Sequence, residues 1–215
     1  MKTIKIAFHA LALAVLFTTT AVMADGIPVK EKKSTPKETA LAVDPAKSEL
    51  HYTGKKVTGE HSGTVKIAKG LLSVDGKKLV GGSFDIDMKS IVNTDLTDAG
   101  SNAKFIGHLK SEDFFSVDKY PTSTFKITKV EPIAGAKAGE ANYTVTGDLA
   151  IKGITNPVTF PATVKIEGNK VDAAAKFEVN RTKWDIKYGS GLVGTAADKI
   201  IYDDFTIELK VVAGK

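Results

Sequence analysis

The sequence predicts an all-β fold: about eight antiparallel strands, closed into a barrel or folded as a sandwich, with one short helix. Three observations carry this. Apolar residues recur at every second position in run after run, tight-turn residues fall between the runs, and a single segment departs from period two. Residues 50–53, 64–68 and 71–74 read as the first strands. Next, Phe84, Ile86 and Met88 alternate with Ser83, Asp85 and Asp87, and Phe125 and Ile127 alternate with Lys126 and Thr128. The pattern returns in Tyr143-Val145-Gly147-Leu149-Ile151, in Val158-Phe160-Ala162-Val164-Ile166, in Val171-Ala173-Ala175-Phe177-Val179 and in Phe205-Ile207-Leu209-Val211. The intervening residues are largely Thr, Lys, Asp and Glu, as expected of antiparallel strands with one buried and one wet face.

Asp75-Gly76 and Gly168-Asn169 are hairpin signals, and residues 134–139 and 152–157 read as looser connections. Gly81-Gly82 opens a strand and suggests a bulge. Between Gly100 and Leu109 the period changes: Phe105 and Leu109 stand four apart, with Ser101 as a candidate cap. A short helix is predicted there, then a turn from Ser111 before Phe114-Phe115, with Pro121 ending the connection. With so little helix to cover a sheet, the strands must bury their apolar faces against each other, and closing the barrel also removes exposed edges. A barrel of about eight strands is wide enough to be filled by side chains or to hold one small ligand. Small inward residues (Gly147, Ala162, Ala173, Ala175) either leave a tunnel or offset neighbouring aromatics, and the pattern alone leaves both open.

The chain has 215 residues. Residues 1–24 read as a secretory signal peptide: two lysines, about a dozen apolar residues and a small-residue exit at Val22-Met23-Ala24. The apolar stretch is too short for a permanent membrane span. Residues 25–43, rich in Lys, Thr and Pro, are expected to be a flexible lead-in, and residues 44–215 a single domain. The net charge of +5 falls to about +2 for that domain, whose one arginine is Arg181. Lysines spread among acids give no phosphate-binding stripe, so nucleic acid is excluded as a partner.

The absence of cysteine excludes disulfides, thiol nucleophiles, iron–sulfur clusters and cysteine zinc sites, along with a lipoprotein anchor. No other run approaches transmembrane length, so a soluble protein is expected. His51, His61 and His108 lack metal-site spacing, and no metal is expected. Ser190 in Gly189-Ser190-Gly191 lacks the first glycine of a nucleophile elbow and the helix that follows one, and reads as a glycine loop. The acidic pairs at 95 and 98, 112 and 113, and 203 and 204 fall at turns and element starts, where acids serve solvation and helix N-termini. No catalytic residue is assigned. Arg181, just past a strand end, suits either a loop-holding ion pair or an anionic headgroup.

Three blocks carry a resemblance. His108-Leu109-Lys110-Ser111-Glu112-Asp113-Phe114-Phe115, running on to Tyr120-Pro121 and Phe125, is one. Gly147-Asp148-Leu149 through Gly153-Ile154-Thr155-Asn156-Pro157-Val158-Thr159-Phe160 is the second, and Val179-Asn180-Arg181-Thr182 the third. With Ser48-Glu49-Leu50-His51-Tyr52 and Gly59-Glu60-His61-Ser62-Gly63, they resemble the YceI-like family of polyisoprenoid-binding, lipocalin-like proteins over residues 44–212. Trp184 stands where that family more often has an Asp-Phe pair.

The resemblance implies an extended antiparallel barrel, lipocalin-like, with an apolar tunnel for a long amphiphile: a polyisoprenoid, a quinone tail or a fatty-acid derivative. The implied wall comprises Phe84 and Ile86, Phe125 and Ile127, Val145 and Leu149, Val158, Phe160 and Val164, and Phe177 and Val179. Phe105, Leu109, Phe114 and Phe115 would close one end from the helix, with Trp184 as wall or plug. His108, Arg181 and Lys183 are the headgroup candidates. No cofactor is expected beyond the lipid ligand, a homodimer is compatible, and the periplasm is the expected location. An enzyme acting on such a lipid and a ligand-free packed barrel are the rival readings.

Overall fold

The computed structural model describes residues 38–214; the expected signal peptide lies outside them. The described elements are β1 Glu38–Ala42, β2 Glu49–Lys56, β3 Gly59–Asp75, β4 Lys78–Asn93, α1 Ala99–Lys110, β5 Thr122–Pro132, β6 Tyr143–Ile151, β7 Ile154–Glu167, β8 Lys170–Asn180 and β9 Ile201–Gly214. From β2 to β9 each strand pairs antiparallel with the next, and β9 pairs with β2, so eight strands close into an up-and-down barrel. β1 is a ninth strand. It pairs with residues 71–75 of β3, beyond the stretch at 59–64 that pairs with β2.

Residues 38–43 are therefore part of the barrel and not of a lead-in. Leu41 and Val43 are buried within it, an apolar alternation the surrounding lysines and threonines obscure. The strands expected at 64–68 and 71–74 are one strand, β3, whose register shifts at Ile67/Lys69. A second shift opposite Gly81 is the bulge expected from the glycine pair. The Gly168-Asn169 and Asp75-Gly76 turns join β7 to β8 and lead from β3 into β4. The expected connection at 152–157 shrinks to Lys152-Gly153, both with positive φ, as a two-residue hairpin requires. Asn156 and Pro157 lie inside β7. Proline is tolerated there because β8 pairs with β7 only from Ala162 onward, so residues 154–161 have a single bonded neighbour.

The meander defines two ends. The β2–β3 and β6–β7 hairpins, α1 and the segment between β8 and β9 gather at one end; β1, the β3–β4 and β7–β8 hairpins and the 133–142 loop gather at the other. α1 is capped by Asp98, not Ser101: the Asp98 carboxylate accepts from the Ser101 N–H at 2.7 Å. At the end away from α1, Leu41, Val43, Leu72, Val74, Leu79, Tyr143, Val145, Val164, Val171 and Val211 are all buried.

Candidate functional site

Toward α1 the barrel is hollow. A cavity of about 400 Å³ is walled almost wholly by apolar side chains from all eight barrel strands. β2 supplies Leu50 and Tyr52; β3 supplies Val65 and Ile67; β4 supplies Phe84, Ile86, Met88 and Ile91. Phe125, Leu149, Ile151, Val158, Phe160, Phe177 and Val179 continue the wall, and Phe205, Ile207 and Leu209 of β9 complete it. Four rings form a belt low in the cavity. Phe84 and Phe125 lie 6.5 Å apart, Phe125 and Phe160 5.7 Å, and Phe160 and Phe177 stack face to face at 4.0 Å and 5°. Gly147 makes the belt continuous, because a β-carbon there would lie 2.4 Å from Phe125 Cζ. The Phe160–Phe177 stack bridges the gap where β7 and β8 are not hydrogen-bonded.

Polar groups gather at the mouth. Asp95 Oδ2 lies 2.7 Å from His61 Nδ1, while its Oδ1 accepts from the Ser62 N–H and from Asn93 Nδ2. Burial pushes the Asp95 carboxyl up, but these hydrogen bonds outweigh it and hold the group below its ordinary 3.8. Buried Asn93 also accepts from the Leu96 N–H and donates to Ser62 O, so one side chain shapes the loop that carries Asp95. The His61 ring packs 4.6 Å from Phe105 of α1. Across the mouth, His108 Nε2 meets Asp113 Oδ2 at 2.9 Å and its ring sits edge-on to Phe114 and Tyr188. The Tyr52 hydroxyl donates to Val92 O at 3.1 Å; burial and the Asp95 charge push its pKa up to about 12.

Of the residues expected on the wall, Phe84, Ile86, Phe105, Leu109, Phe114, Phe115, Phe125, Leu149, Val158, Phe160, Phe177 and Val179 line the cavity. Phe114 and Phe115 follow the helix rather than belonging to it. Ile127, Val145 and Val164 do not line it. They point inward but sit lower: Ile127 Cδ1 faces Gly82 beside Leu72, and Val145 and Val164 are buried in the packed end. Trp184 is also off the wall. It is buried, and its indole N–H donates to Leu149 O at 3.0 Å, pinning it to the β6 backbone. The wall residues of β2, β3 and β9 were not expected, although Phe205, Ile207 and Leu209 carry the same alternation as the strands that were.

The headgroup candidates separate. His108 stands at the mouth. Lys183 is exposed and off the cavity wall. Arg181 reaches the wall but is only 4 % exposed and has no donor to spare. Its Nε donates to Tyr202 O, Nη1 to Ile186 O and Tyr188 O, and Nη2 to Ile201 O and Asp203 Oδ1. Five N–H groups meet five acceptors. Burial pushes its pKa down, against the opposing pull of Asp203. Arg181 therefore holds the segment between β8 and β9. Ser190 is fully buried and its Oγ accepts from the Leu192 N–H at 3.1 Å, a turn-capping role.

Among the described residues no helix is long and apolar enough to cross a membrane. A UPF0312 protein of Yersinia enterocolitica is 34 % identical over 96 residues, 41 % of this chain and 46 % of that one, so the chain spans about half the length of the curated relatives it matches. The crystal structure of Burkholderia cenocepacia BcnA superposes with a TM-score of 0.61 at 27 % identity, over 80 % of this chain and 99 % of that one. A polyisoprenoid binding domain from Saccharophagus degradans shares the fold at a TM-score of 0.55 and 12 % identity, over 81 % of this chain and 97 % of that one. The sequence model of the YceI-like domain matches residues 41–213, the whole barrel with its closing strand, and the chain belongs to the YceI-like family.

Proposed function

We propose that this protein binds a long-chain amphiphile with its tail in the barrel cavity and its polar end at the mouth. It would act as an exported carrier or store in the periplasm. The observation that carries the reading is an apolar hollow of about 400 Å³ inside a closed barrel, with its titratable groups at one opening. Each methylene withdrawn from water contributes ~0.8 kcal/mol, so ten buried carbons supply on the order of 8 kcal/mol before ordering costs. The tail gives affinity and the mouth gives selection. His61, His108, Lys55 and Lys56 are the groups available to a headgroup; all four border the cavity. The Saccharophagus neighbour, named for polyisoprenoid binding, makes isoprenoid tails one candidate.

Binding rather than turnover also fits the mouth. The rings of His61 and His108 hydrogen-bond to Asp95 and Asp113, and to no hydroxyl nucleophile among the described residues. Mass spectrometry of an organic extract of freshly purified protein is the test. A stoichiometric amphiphile should appear, and Phe160→Asp, which puts a carboxylate into the aromatic belt, should abolish it. Empty extracts, together with no uptake of apolar dye by the wild-type protein, would sink the proposal.

A further inference from the structure

The cavity is blind, and its depth can be measured against a hydrocarbon chain. The wall ends at Leu50, Ile67, Phe84, Phe160 and Leu209. Directly below, Val43 Cγ2 and Phe84 Cδ1 each approach to 2.9 Å the point where a β-carbon on Gly70 would stand. Val145, Val164 and Val211 fill the barrel beneath at 6 % exposure or less. From Ile201 at the mouth to Leu209 at the floor, a strand rising ~3.3 Å per residue and tilted ~40° descends roughly 20 Å along the barrel axis. C–C bonds of ~1.5 Å advance an extended chain about 1.3 Å per carbon, so that depth takes roughly sixteen carbons. Volume gives a similar answer. If a methylene takes about the room of a water in the liquid, ~30 Å³, a cavity of about 400 Å³ holds on the order of thirteen.

We infer that the site buries about fifteen carbons of a single tail, and that the packed floor of Val145, Val164 and Val211 is the ruler that sets this length. The inference rests on the lipid-binding reading above. Its ligand class is a one-tailed amphiphile with an acyl chain or a three-unit isoprenoid; longer prenyl chains leave their surplus at the mouth, where it adds nothing to affinity.

Displacement of a bound apolar dye from the full chain tests it. One arm uses saturated fatty acids from about ten to about twenty-four carbons, the other prenyl alcohols of about ten to forty-five carbons. Affinity should rise several-fold for every two added carbons and level off near fifteen in whichever arm binds, and that arm names the tail chemistry. Val145→Ala with Val164→Ala should move the plateau up by at least two carbons. Leu209→Phe, which raises the floor without opening the core, should move it down and keeps the test alive if the double variant fails to fold. A plateau beyond about twenty-five carbons, or one that neither variant moves, overturns the ruler while leaving lipid binding standing. If no chain of any length displaces the dye, the lipid-binding reading falls with it.

Discussion

The same eight strands build a solid end and a hollow end, and the side chains that make each are the reverse of what size alone suggests. The solid end has no phenylalanine: Val145, Ala162, Val164, Val171, Val211 and Ala213 pack there with Leu41, Leu72, Leu79 and Tyr143. The hollow end mixes aliphatic side chains with all eight phenylalanines of the described residues. In a barrel just wide enough to be filled, short branched side chains from facing walls meet at the axis and interdigitate. Rings instead lie against one another along the wall, as the Phe84–Phe125–Phe160–Phe177 belt does, and leave the axis clear. The solid end also receives Leu41 and Val43 from β1 and the residue that follows it, whereas the hollow end is roofed by a helix with one buried residue, Leu109.

Truncation should therefore cost unequal amounts at the two ends. Leu72→Ala, at 2 % exposure in the solid end, should destabilise by about 4 kcal/mol, since it opens a void where none existed. Leu149→Ala merely enlarges an existing cavity and should cost ~1 kcal/mol. Urea denaturation of the pair decides, and equal losses would erase the distinction. Arg181→Ala comes next. It strips donors from four backbone carbonyls and should cost about 3 kcal/mol, with Arg181→Lys recovering only part because an ammonium lacks the planar fork. If Arg181→Ala keeps wild-type stability but loses amphiphile selectivity, the arginine is a headgroup ligand after all. Gly147→Ala follows at ~2 kcal/mol, the cost of driving a β-carbon into the Phe125 ring. It should also alter dye binding, as a belt residue must, and unchanged binding would detach the belt from the cavity.

Period-two alternation made the barrel and the inward face legible, because a strand's side chains must choose one face or the other. It says nothing about height along the barrel. Ile127, Val145 and Val164 point inward like Phe125 and Phe160, yet one or two pleats further along they are core, not wall. Nor does it reveal why a residue is small: Gly147 makes room for a neighbour's ring instead of leaving space. Partners far apart in sequence were equally hidden. His61 and Asp95 are 34 residues apart, and of the four carbonyls that claim Arg181, two come from the patternless segment before β9 and two from the start of β9 itself. Within the first family-like block, His108, Phe114 and Phe115 stand at the mouth, while Phe125 lies in the belt below.

The smallest effect isolates the hollow end by acid. The Asp95 carboxyl titrates below 3.8 in the folded protein despite the opposing effect of burial, because His61, Ser62 and Asn93 hydrogen-bond its charged form. With the folded value below the unfolded one, these bonds contribute fully above about pH 4 and are lost as pH falls through the lowered folded value. Asp95 is partly exposed, so the contribution is small and local. Asp44, near the solid end, is also held low, chiefly by Lys47, but its carboxylate bonds only within its own turn, to Ala46 and Lys47. Its protonation frees no contact between strands. Amide hydrogen exchange, corrected for intrinsic rates, should therefore show Ser62 and Thr94 losing protection between about pH 4 and pH 2. The amides of Val171 and Val211 should hold, and Asp95→Asn should flatten the Ser62 profile. Parallel loss at Val171 would mean that the barrel opens as one unit and that its two ends are not energetically separate.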